Sequence, residues 1–561
     1  MPKQPRACQH TTLQLEPSAC AARVGFTPTA ATELLAAAEL SGETHHDGVV
    51  GTAEAVVKEL SAFFPAPLIL PGDELAYEPT EEGQSCHEWL HETERNQPMA
   101  KRGTLYVASV PRIDPEVKHV ETWTRPGAAA ARKTPPGDAS LLQPPQAEDI
   151  IDFLSAFYHG VPVKPFPQQL RFVAWDGETD REDVRNGMSY IGLATTRDNN
   201  CTRIRARTSP DGEVFPKQLN LEDILDAGIE MLPGDAYALL LLVDHDLYES
   251  DEDDFCCGRA YGGSRVCVVQ TARYHPALDA HAGIDAAHMW PTSHCKTYLD
   301  KLCRAEGISV ASGGGRGSAA AAAAGGSSSS SSSSKPPLRA AVDAAVQAAQ
   351  GSLTGKTSTV ATTSGSGTPA AGAVSQADQE AMGRPSPAQR QRQQQQQGLW
   401  LSRLARTTAH ELGHCFGMDH CVYYACLMQS TASMAEDVRQ PPYLCPVCLN
   451  KVAHAVAGEL LPGTRGGKMR KMQQPQKKKA ATTRGGSRDV LRAAEAPETT
   501  DYLIQRYAAI ADFCGKWAPH VGMFAGYRAW ALARIDSLQG GSSRRSPEGP
   551  EGRQVIIILD D

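Results

Sequence analysis

The sequence predicts an α+β fold, a body of short strands and amphipathic helices that is interrupted by low-complexity inserts. Apolar runs at residues 104–110, 236–243 and 265–272 indicate strands, because each is rich in aliphatic and β-branched side chains. In residues 150–157, apolar side chains recur three and four positions apart, which is typical of an amphipathic helix. Between residues 304 and 398, runs of alanine, serine and glutamine lack the large apolar side chains that a core requires.

The remaining elements are weaker but follow from the same patterns. Residues 30–40 and 56–64 predict helices near the N-terminus, because alanine, leucine and glutamate dominate them or apolar residues recur at helical spacing. Residues 169–175 and 188–195 predict short strands. Asn220 is a candidate N-cap for a helix that follows it, since a short polar side chain there can accept a backbone hydrogen bond.

The composition limits the classes of protein to which the chain can belong. Of its 561 residues, 41% are hydrophobic and 21% charged, which excludes a wholly disordered chain. The longest apolar run, residues 236–243, is far shorter than the roughly 20 residues of a membrane-spanning helix. There are 64 acidic and 55 basic residues, so the net charge of −9 argues against nucleic acid or an anionic membrane as a partner. The 15 cysteines and the absence of an apolar signal in residues 1–16 predict reduced thiols or metal ligands in the cytoplasm or nucleus, and no secretion.

Changes in composition divide the chain into seven segments. They are a partly helical N-terminal region (1–100), the first half of the main domain (101–303), a low-complexity insert (304–398), a segment rich in histidine and cysteine (399–462), a basic insert (463–498), closing helices (499–537) and a polar tail (538–561). Both inserts are predicted to be disordered. The basic insert could alternatively be a nuclear-localisation or nucleic-acid patch.

Chemistry is concentrated in the stretch HELGHCFGMDH, which begins at His410. His410 and His414 are four residues apart and so lie on one face of a helix. Glu411 is one residue further round, where it can reach a water on the metal rather than the metal itself. Gly417 can adopt a positive φ and turn the chain, so that His420 can fold back as a third ligand. Three protein ligands and one open position form the catalytic type of zinc site.

The full motif is much more specific than its core. With this composition, HExxH alone would arise by chance in roughly one such chain in 35, whereas adding Gly417 and His420 lowers that to roughly one in 10,000. The alternative is a pair of helix-surface histidines followed by a capping glycine. Met428 lies eight residues beyond His420, either as a floor beneath the zinc or as an ordinary core methionine.

Four cysteines follow at the spacing C-x4-C-x18-C-x2-C, namely Cys421, Cys426, Cys445 and Cys448. Four thiolates at such spacing fit a closed, tetrahedral structural zinc site. The alternative is a set of unpaired thiols. Because Cys421 directly follows His420, the two sites would share a backbone segment.

This combination resembles the archaemetzincins, a branch of the metzincin metalloproteases whose pattern is HExxHxxGxxHC with further cysteines and a methionine downstream. The resemblance implies two zinc ions per chain. It implies a catalytic zinc on the three histidines and a structural zinc on the four cysteines, with Glu411 as general base and Met428 in the Met-turn. It also implies a metzincin-like domain, in which a twisted mixed sheet packs on helices and the active-site helix, residues 399–416, runs beneath the sheet. Residues 265–272 are the candidate edge strand for binding an extended peptide.

The expected function is hydrolysis of peptide bonds in a peptide or protein substrate, by a zinc-activated water with Glu411 as general base. Two alternatives remain open. One is a catalytically silent, zinc-stabilised binding or scaffold protein, against which the intact Glu411 argues. The other is a zinc amidohydrolase that acts on a non-peptide amide.

Overall fold

The structure, a computed structural model, describes most of the chain in separate ranges. These are residues 8–43, 50–127, 142–177, 187–196, 201–210, 212, 214–310, 335–353, 386–460 and 497–540. The predicted basic insert at 463–498 lies outside the described residues except for its last two positions. Most of the predicted polar tail, from residue 541 onward, also lies outside them.

Eleven strands are described, in two mixed sheets. They are β1 (Thr104–Ala108), β2 (Arg112–Ile113), β3 (Val163–Pro165), β4 (Leu170–Val173), β5 (Ser189–Thr195), β6 (Cys201–Thr208), β7 (Lys217–Asn220), β8 (Ala236–Val243), β9 (Asp246–Tyr248), β10 (Gly258–Tyr261) and β11 (Val266–Gln270).

The first sheet has the strand order β10-β11-β8-β1-β3. Its four strands from β11 to β3 are parallel, and β10 runs antiparallel to β11 at one edge. Every residue of β8 is buried, as is typical of a parallel strand covered on both faces. In the register of this sheet, Leu240 of β8 lies between Val107 and Cys267.

The second sheet has the order β2-β4-β5-β6-β7-β9 and is mainly antiparallel. It packs its own apolar cluster, to which Phe172, Ile204 and Leu219 contribute, against the far side of the first sheet. Asn220 ends β7 and caps the next helix as the sequence predicts, since its side chain accepts a hydrogen bond from the Asp223 backbone N–H at 3.0 Å.

Helices cover the other faces. The α-helices are Ala19–Val24, Ala31–Ala38, Val50–Leu60, Glu74–Tyr77, Cys86–His91, Ala147–Phe157, Leu221–Glu230, Lys296–Ala305, Pro337–Leu353, Pro387–Cys415, Met434–Asp437, Pro446–Ala453, Pro497–Trp517 and Gly522–Leu538. A π-helix, His454–Leu460, continues the helix before it. Within the described part of the chain, none of these helices combines the length and the hydropathy that crossing a bilayer requires.

The helix Pro387–Cys415, here called the central helix, lies between the first sheet and the closing helices. Apolar residues recur along it at helical spacing and are buried, with Leu401, Leu404 and Leu412 at most 1% exposed. It begins twelve residues earlier than the predicted residue 399 and includes the glutamine run. The reason is local: Ser386 and Gln389 form a capping box, and glutamine and arginine are good helix formers.

The low-complexity insert predicted at 304–398 is therefore not disordered throughout. Besides the start of the central helix, it contains the helix Pro337–Leu353, here called the insert helix, which packs against Gly522–Leu538. The rest of that prediction, at residues 311–334 and 354–385, lies outside the described residues.

The prediction that residues 265–272 form an edge strand is wrong. The strand at that position, β11, lies inside the sheet between β10 and β8, and all five of its residues are buried. The free edge among the described strands of this sheet, on that side, belongs to β10, whose residues are only partly covered. A strand that is apolar on both faces fits an interior position better than an edge.

Candidate active site and metal centres

A cleft of about 880 Å³ opens between the central helix and the edge strand β10. His410, Glu411, His414 and His420 line it from the helix and from the turn that follows. Residues of β10 line it from the other side. The side chains that the motif predicts to act together therefore share one cavity.

The three histidines converge on one point. Each offers one ring nitrogen, and these nitrogens all lie within 4.8 Å of one another. The Nε2 atoms of His410 and His414 are 3.1 Å apart. Two nitrogens bound to one tetrahedral zinc at 2.0–2.1 Å would be about 3.3 Å apart, so the observed separation fits a shared ion.

The hydrogen bonds of the rings fix which nitrogen is free. His410 Nδ1 lies 2.8 Å from the Leu427 carbonyl oxygen, and His414 Nδ1 lies 2.7 Å from that of Met418. A carbonyl only accepts, so each Nδ1 carries the proton and each Nε2 presents a lone pair. Two facing lone pairs repel each other, and a cation between them removes that repulsion.

Electrostatics keep these imidazoles neutral, which is the form that binds metal. Burial lowers the pKa of His410 well below its usual range, and the neighbouring His414 and His420 lower it further. Burial also lowers the pKa of His414 to about 4. The His420 side chain is the most open of the three, at 38% exposed, and its Nδ1 lies 3.7 Å from Glu81 Oε1.

Glu411 lies in the same cleft and is 7% exposed. Burial raises the pKa of its carboxyl to about 8, although the nearby Arg259 and Arg406 oppose that shift. Its side chain lies against Gly258 of β10, where a β-carbon would approach the Glu411 Oε1 atom to 3.2 Å. The glycine thus lets the edge strand come close to the carboxyl group.

The end of the central helix turns as the motif predicts. Gly417 has φ +76°, a conformation that favours glycine. The Gly417 N–H donates to the His414 carbonyl, and the Met418 N–H donates to that of Gly413, which together form a Schellman motif. Trp89 Nε1 donates to the Phe416 carbonyl at 2.8 Å, so one more carbonyl at this helix end is satisfied. This turn brings His420 back towards the other two histidines.

The four predicted cysteines also come together, with their sulfur atoms within 4.8 Å of one another and side chains at most 3% exposed. Cys421 Sγ and Cys445 Sγ are 3.5 Å apart, close to the roughly 3.8 Å expected for two sulfurs on one tetrahedral zinc. Hydrogen bonds from the other three thiols hold the pKa of Cys421 well below its usual range. Cys445 is the N-cap of the helix Pro446–Ala453, whose N-terminus favours negative charge.

A backbone hydrogen bond links the cysteine cluster to Met428. The Cys421 N–H donates to the Met428 carbonyl at 2.9 Å. The Met428 side chain is fully buried and lies against Gly413, between the two helical histidines.

Sequence patterns gave no signal for Glu81 or Trp89. Both approach the motif from the N-terminal region, more than 300 residues away in the chain. Gly258 has no such signal either, because an isolated glycine in a strand has no spacing that connects it with the motif.

Comparison with known proteins singles out the same part of the chain. Residues 389–454 match the family described as Peptidase family M54. Over 56 residues, the chain is 48% identical to archaemetzincin-2 of Macaca fascicularis and of Homo sapiens, a match that covers 10% of this chain and 16% of each relative. It is 38% identical over 63 residues to archaemetzincin-1 of Homo sapiens, covering 11% of this chain and 13% of that protein. The matches thus span about a sixth of these relatives or less.

Two solved structures align with larger parts of the chain at low similarity. The archaemetzincin of Methanopyrus kandleri aligns with a TM-score of 0.25 and 13% identity, over 64% of this chain and 98% of that one. A zinc-dependent peptidase from Methanocorpusculum labreanum aligns with a TM-score of 0.23 and 14% identity, over 62% and 99%.

The sequence match covers the whole stretch from His410 to Cys448, in which both clusters lie. Residues 389–454 of this chain therefore match Peptidase family M54 and are similar to the corresponding segment of the archaemetzincins.

Proposed function

We propose that the chain is a zinc-dependent metallopeptidase that hydrolyses peptide bonds, with His410, His414 and His420 holding the catalytic zinc. The observation that carries this proposal is the pair of Nε2 atoms 3.1 Å apart, with each Nδ1 engaged by a backbone carbonyl. That arrangement presents neutral, oriented nitrogen donors in an open cleft. Zinc, when bound there, supplies Lewis acidity that polarises the scissile carbonyl and lowers the pKa of water towards neutrality.

Glu411 acts as general base and then as general acid. It accepts a proton from the attacking water and returns that proton to the leaving amine as the C–N bond breaks. A group with these two tasks works best when its pKa lies near the operating pH. Burial raises the pKa of this carboxyl above its usual range, in that direction, and Arg259 on the edge strand counteracts part of the burial effect.

The substrate binds as an extended strand along β10, rather than along the interior strand β11. The edge of β10 faces the cleft, and Gly258 places this edge beside Glu411. A peptide that adds to a sheet edge is held by backbone hydrogen bonds and is oriented along its whole length. This mode of binding favours peptides over small non-peptide amides.

The four cysteines hold a second, structural zinc. Their complete burial and the short Cys421–Cys445 separation support a closed site without a position for water. Because Cys421 follows His420 directly, this ion would fix the turn that carries the third histidine.

The decisive experiment is to profile cleavage of a diverse peptide library by the purified full chain. We expect cleavage that a chelator abolishes, that added zinc restores and that Glu411→Gln lacks. A zinc-loaded, folded protein without cleavage of any peptide would favour the scaffold alternative. Turnover of non-peptide amides in place of peptides would favour the amidohydrolase alternative.

A further inference from the structure

A third cluster of ligand-type side chains lies outside the segment that carries the other two. It consists of Cys8, His10, His288 and Cys295, each of which offers one donor atom within 4.8 Å of the others. The sulfur atoms of Cys8 and Cys295 are 3.4 Å apart. The ring centroids of His10 and His288 are 5.1 Å apart. Residues almost 290 positions apart in the chain thus supply two thiols and two imidazoles to one point.

The histidines of this cluster have nitrogen atoms without a hydrogen-bond partner among the described residues. His288 Nδ1 lies 2.8 Å from the Asp285 carboxylate and therefore carries the proton, which leaves a lone pair on Nε2. That Nε2 is buried and unpartnered, as is Nδ1 of His10. His10 as a whole is only 7% exposed. Buried polar atoms are normally paired, so two such nitrogens in one cluster indicate a missing ligand.

Two neighbouring side chains fix the orientation of the His288 ring. Tyr298 stacks on it with centroids 4.0 Å apart and an interplanar angle of 5°. Asp285 holds the opposite nitrogen, in the carboxylate–histidine arrangement that commonly orients a metal ligand.

The backbone holds the N-terminal segment against the body at this place. Leu13 and Cys295 form an antiparallel bridge, and the Lys296 N–H donates to the Thr12 carbonyl at 2.9 Å. Arg339 of the insert helix donates to the His10 carbonyl at 2.9 Å. His10 itself has φ +47°, which is uncommon for a residue other than glycine. Such a conformation persists where the surroundings determine it, and ligand sites are one such place.

We propose that Cys8, His10, His288 and Cys295 bind a zinc ion. Two thiolates and two imidazoles form a closed tetrahedral structural site, and the observed sulfur separation is near the roughly 3.8 Å of such sites. Cys295 is the N-cap of the helix Lys296–Ala305, so its position is fixed by the start of that helix. Thiol deprotonation releases two protons as the ion binds, so the loaded site is neutral.

This ion would cross-link the N-terminal segment to the part of the fold that supports the cleft. The loop before Cys295 is attached to the segment that follows Met428. The backbone N–H of Trp290 donates to the Val438 carbonyl, and Ser293 Oγ donates to the Arg439 carbonyl. The alternative interpretation is a disulfide between Cys8 and Cys295. It would need the sulfurs at about 2.05 Å and would leave both histidine nitrogens unpartnered.

The test is the zinc content of the purified full-length protein in a matched set of variants. We expect Cys8→Ser and His10→Gln each to contain one zinc fewer per chain than the wild type. The control is Cys20→Ser, a buried cysteine on the next helix, which should keep the wild-type content. Because the readout is a difference, it does not depend on the occupancy of the two clusters in residues 389–454. An unchanged zinc content in a folded Cys8→Ser protein would overturn the proposal.

A second measurement on the wild type avoids variants that fail to fold. Alkylation of Cys8 and Cys295, followed by peptide mass spectrometry, should be slow in the zinc-loaded protein and fast after chelation. Alkylation of Cys20 should not respond in the same way. Equal rates at Cys8 with and without chelator, or a Cys8–Cys295 disulfide in protein of unchanged zinc content, would refute the site.

Discussion

The thioether of Met428 lies directly against Gly413, in the space that a β-carbon at position 413 would fill. The methyl group of Met418 adjoins the same space at 2.9 Å. Both methionines are buried, so neither side chain can easily move away. Gly413 lies between His410 and His414 in the helix sequence, so Met428 touches the helix within the segment that carries two of the proposed ligands.

This contact predicts that Gly413→Ala is destabilising although alanine favours helices. We expect a loss of about 1–3 kcal/mol, because overpacking a filled core forces side chains out of place. Zinc retention at the histidines should weaken as well. The matched control is Gly515→Ala, also within a helix, where the β-carbon would meet only the exposed Arg528 side chain at 3.4 Å. That change should be neutral or stabilise by up to about 1 kcal/mol. Urea unfolding measures the stability of both variants. A Gly413→Ala protein as stable as the Gly515→Ala protein would contradict the packing argument.

Glu411→Gln keeps the shape of the side chain and removes the base. Zinc binding should persist, while hydrolysis should fall by the roughly 10²–10⁴-fold typical of lost general acid–base catalysis, or by more. His414→Ala should instead lose the metal together with the activity. The measurements are peptide hydrolysis and metal content, with the exposed Glu54→Gln as a control for a remote charge change. Unchanged turnover in a zinc-loaded Glu411→Gln protein would refute the proposed role.

The two proposed zinc ions of residues 389–454 should differ in lability. The histidine cluster is open to the cleft, and the His420 side chain is 38% exposed, whereas the cysteine cluster is buried on all sides. A chelator should therefore remove the catalytic zinc first, abolishing activity while the circular dichroism spectrum and the unfolding midpoint stay nearly unchanged. The check is to follow zinc release, activity and folding together. Well-folded protein with at most one zinc per chain would contradict the proposal of two ions.

A buried histidine remote from these clusters predicts acid sensitivity. His245 is 1% exposed and lies at hydrogen-bonding distance from the Val120 carbonyl, and burial lowers its pKa to about 4. In the unfolded chain the pKa is near 6.5. Between those values the unfolded state binds more protons, so the free energy of unfolding falls as pH decreases from about 6.5 to 4. The slope from this one residue is at most about 1.4 kcal/mol per pH unit.

His245→Gln should therefore reduce the loss of stability between pH 7 and pH 5. Denaturant unfolding at both pH values measures that loss, independently of any overall change that the variant causes. His119→Gln removes an exposed histidine and is the control, which should behave like the wild type. If His245→Gln loses as much stability between pH 7 and pH 5 as the wild type, this histidine does not cause the acid sensitivity.

The sequence predicts contacts within one short segment, but it does not predict contacts between segments that are far apart in the chain. The stretch from His410 to Cys448 could be interpreted because helical periodicity and a glycine turn place residues within one short segment. The approach of Glu81 to His420 could not, since it depends on packing between distant segments. The strand order could not either, because the hydropathy of β11 indicates burial but not which strand lies beyond it.

The insert helix is a case in which composition predicts disorder but the structure has a packed helix. Residues 337–353 are rich in alanine and occur among low-complexity runs, so composition favours disorder. Alanine also has the highest helix propensity, and small side chains allow helices to pack closely. In the structure Ala341 is fully buried, and the partner helix presents Gly526 to it, with only 3.2 Å between the Ala341 carbonyl oxygen and the place of a β-carbon. Gly522 faces Ala345 in the same way, one turn along.

This packing predicts that Ala341→Leu destabilises the protein by about 1–3 kcal/mol, because the added side chain has no space between the two helices. Ala349→Leu introduces the same side chain on the exposed face of the insert helix and should change the stability by no more than about 0.5 kcal/mol. Replacing residues 308–395 with a short Gly/Ser linker should likewise lower the unfolding midpoint, since it removes the insert helix from its partner together with the start of the central helix. If the segment were an inert linker, both alanine variants would be neutral and the shortened chain would be at least as stable as the wild type. Denaturant unfolding of the three proteins distinguishes the two cases.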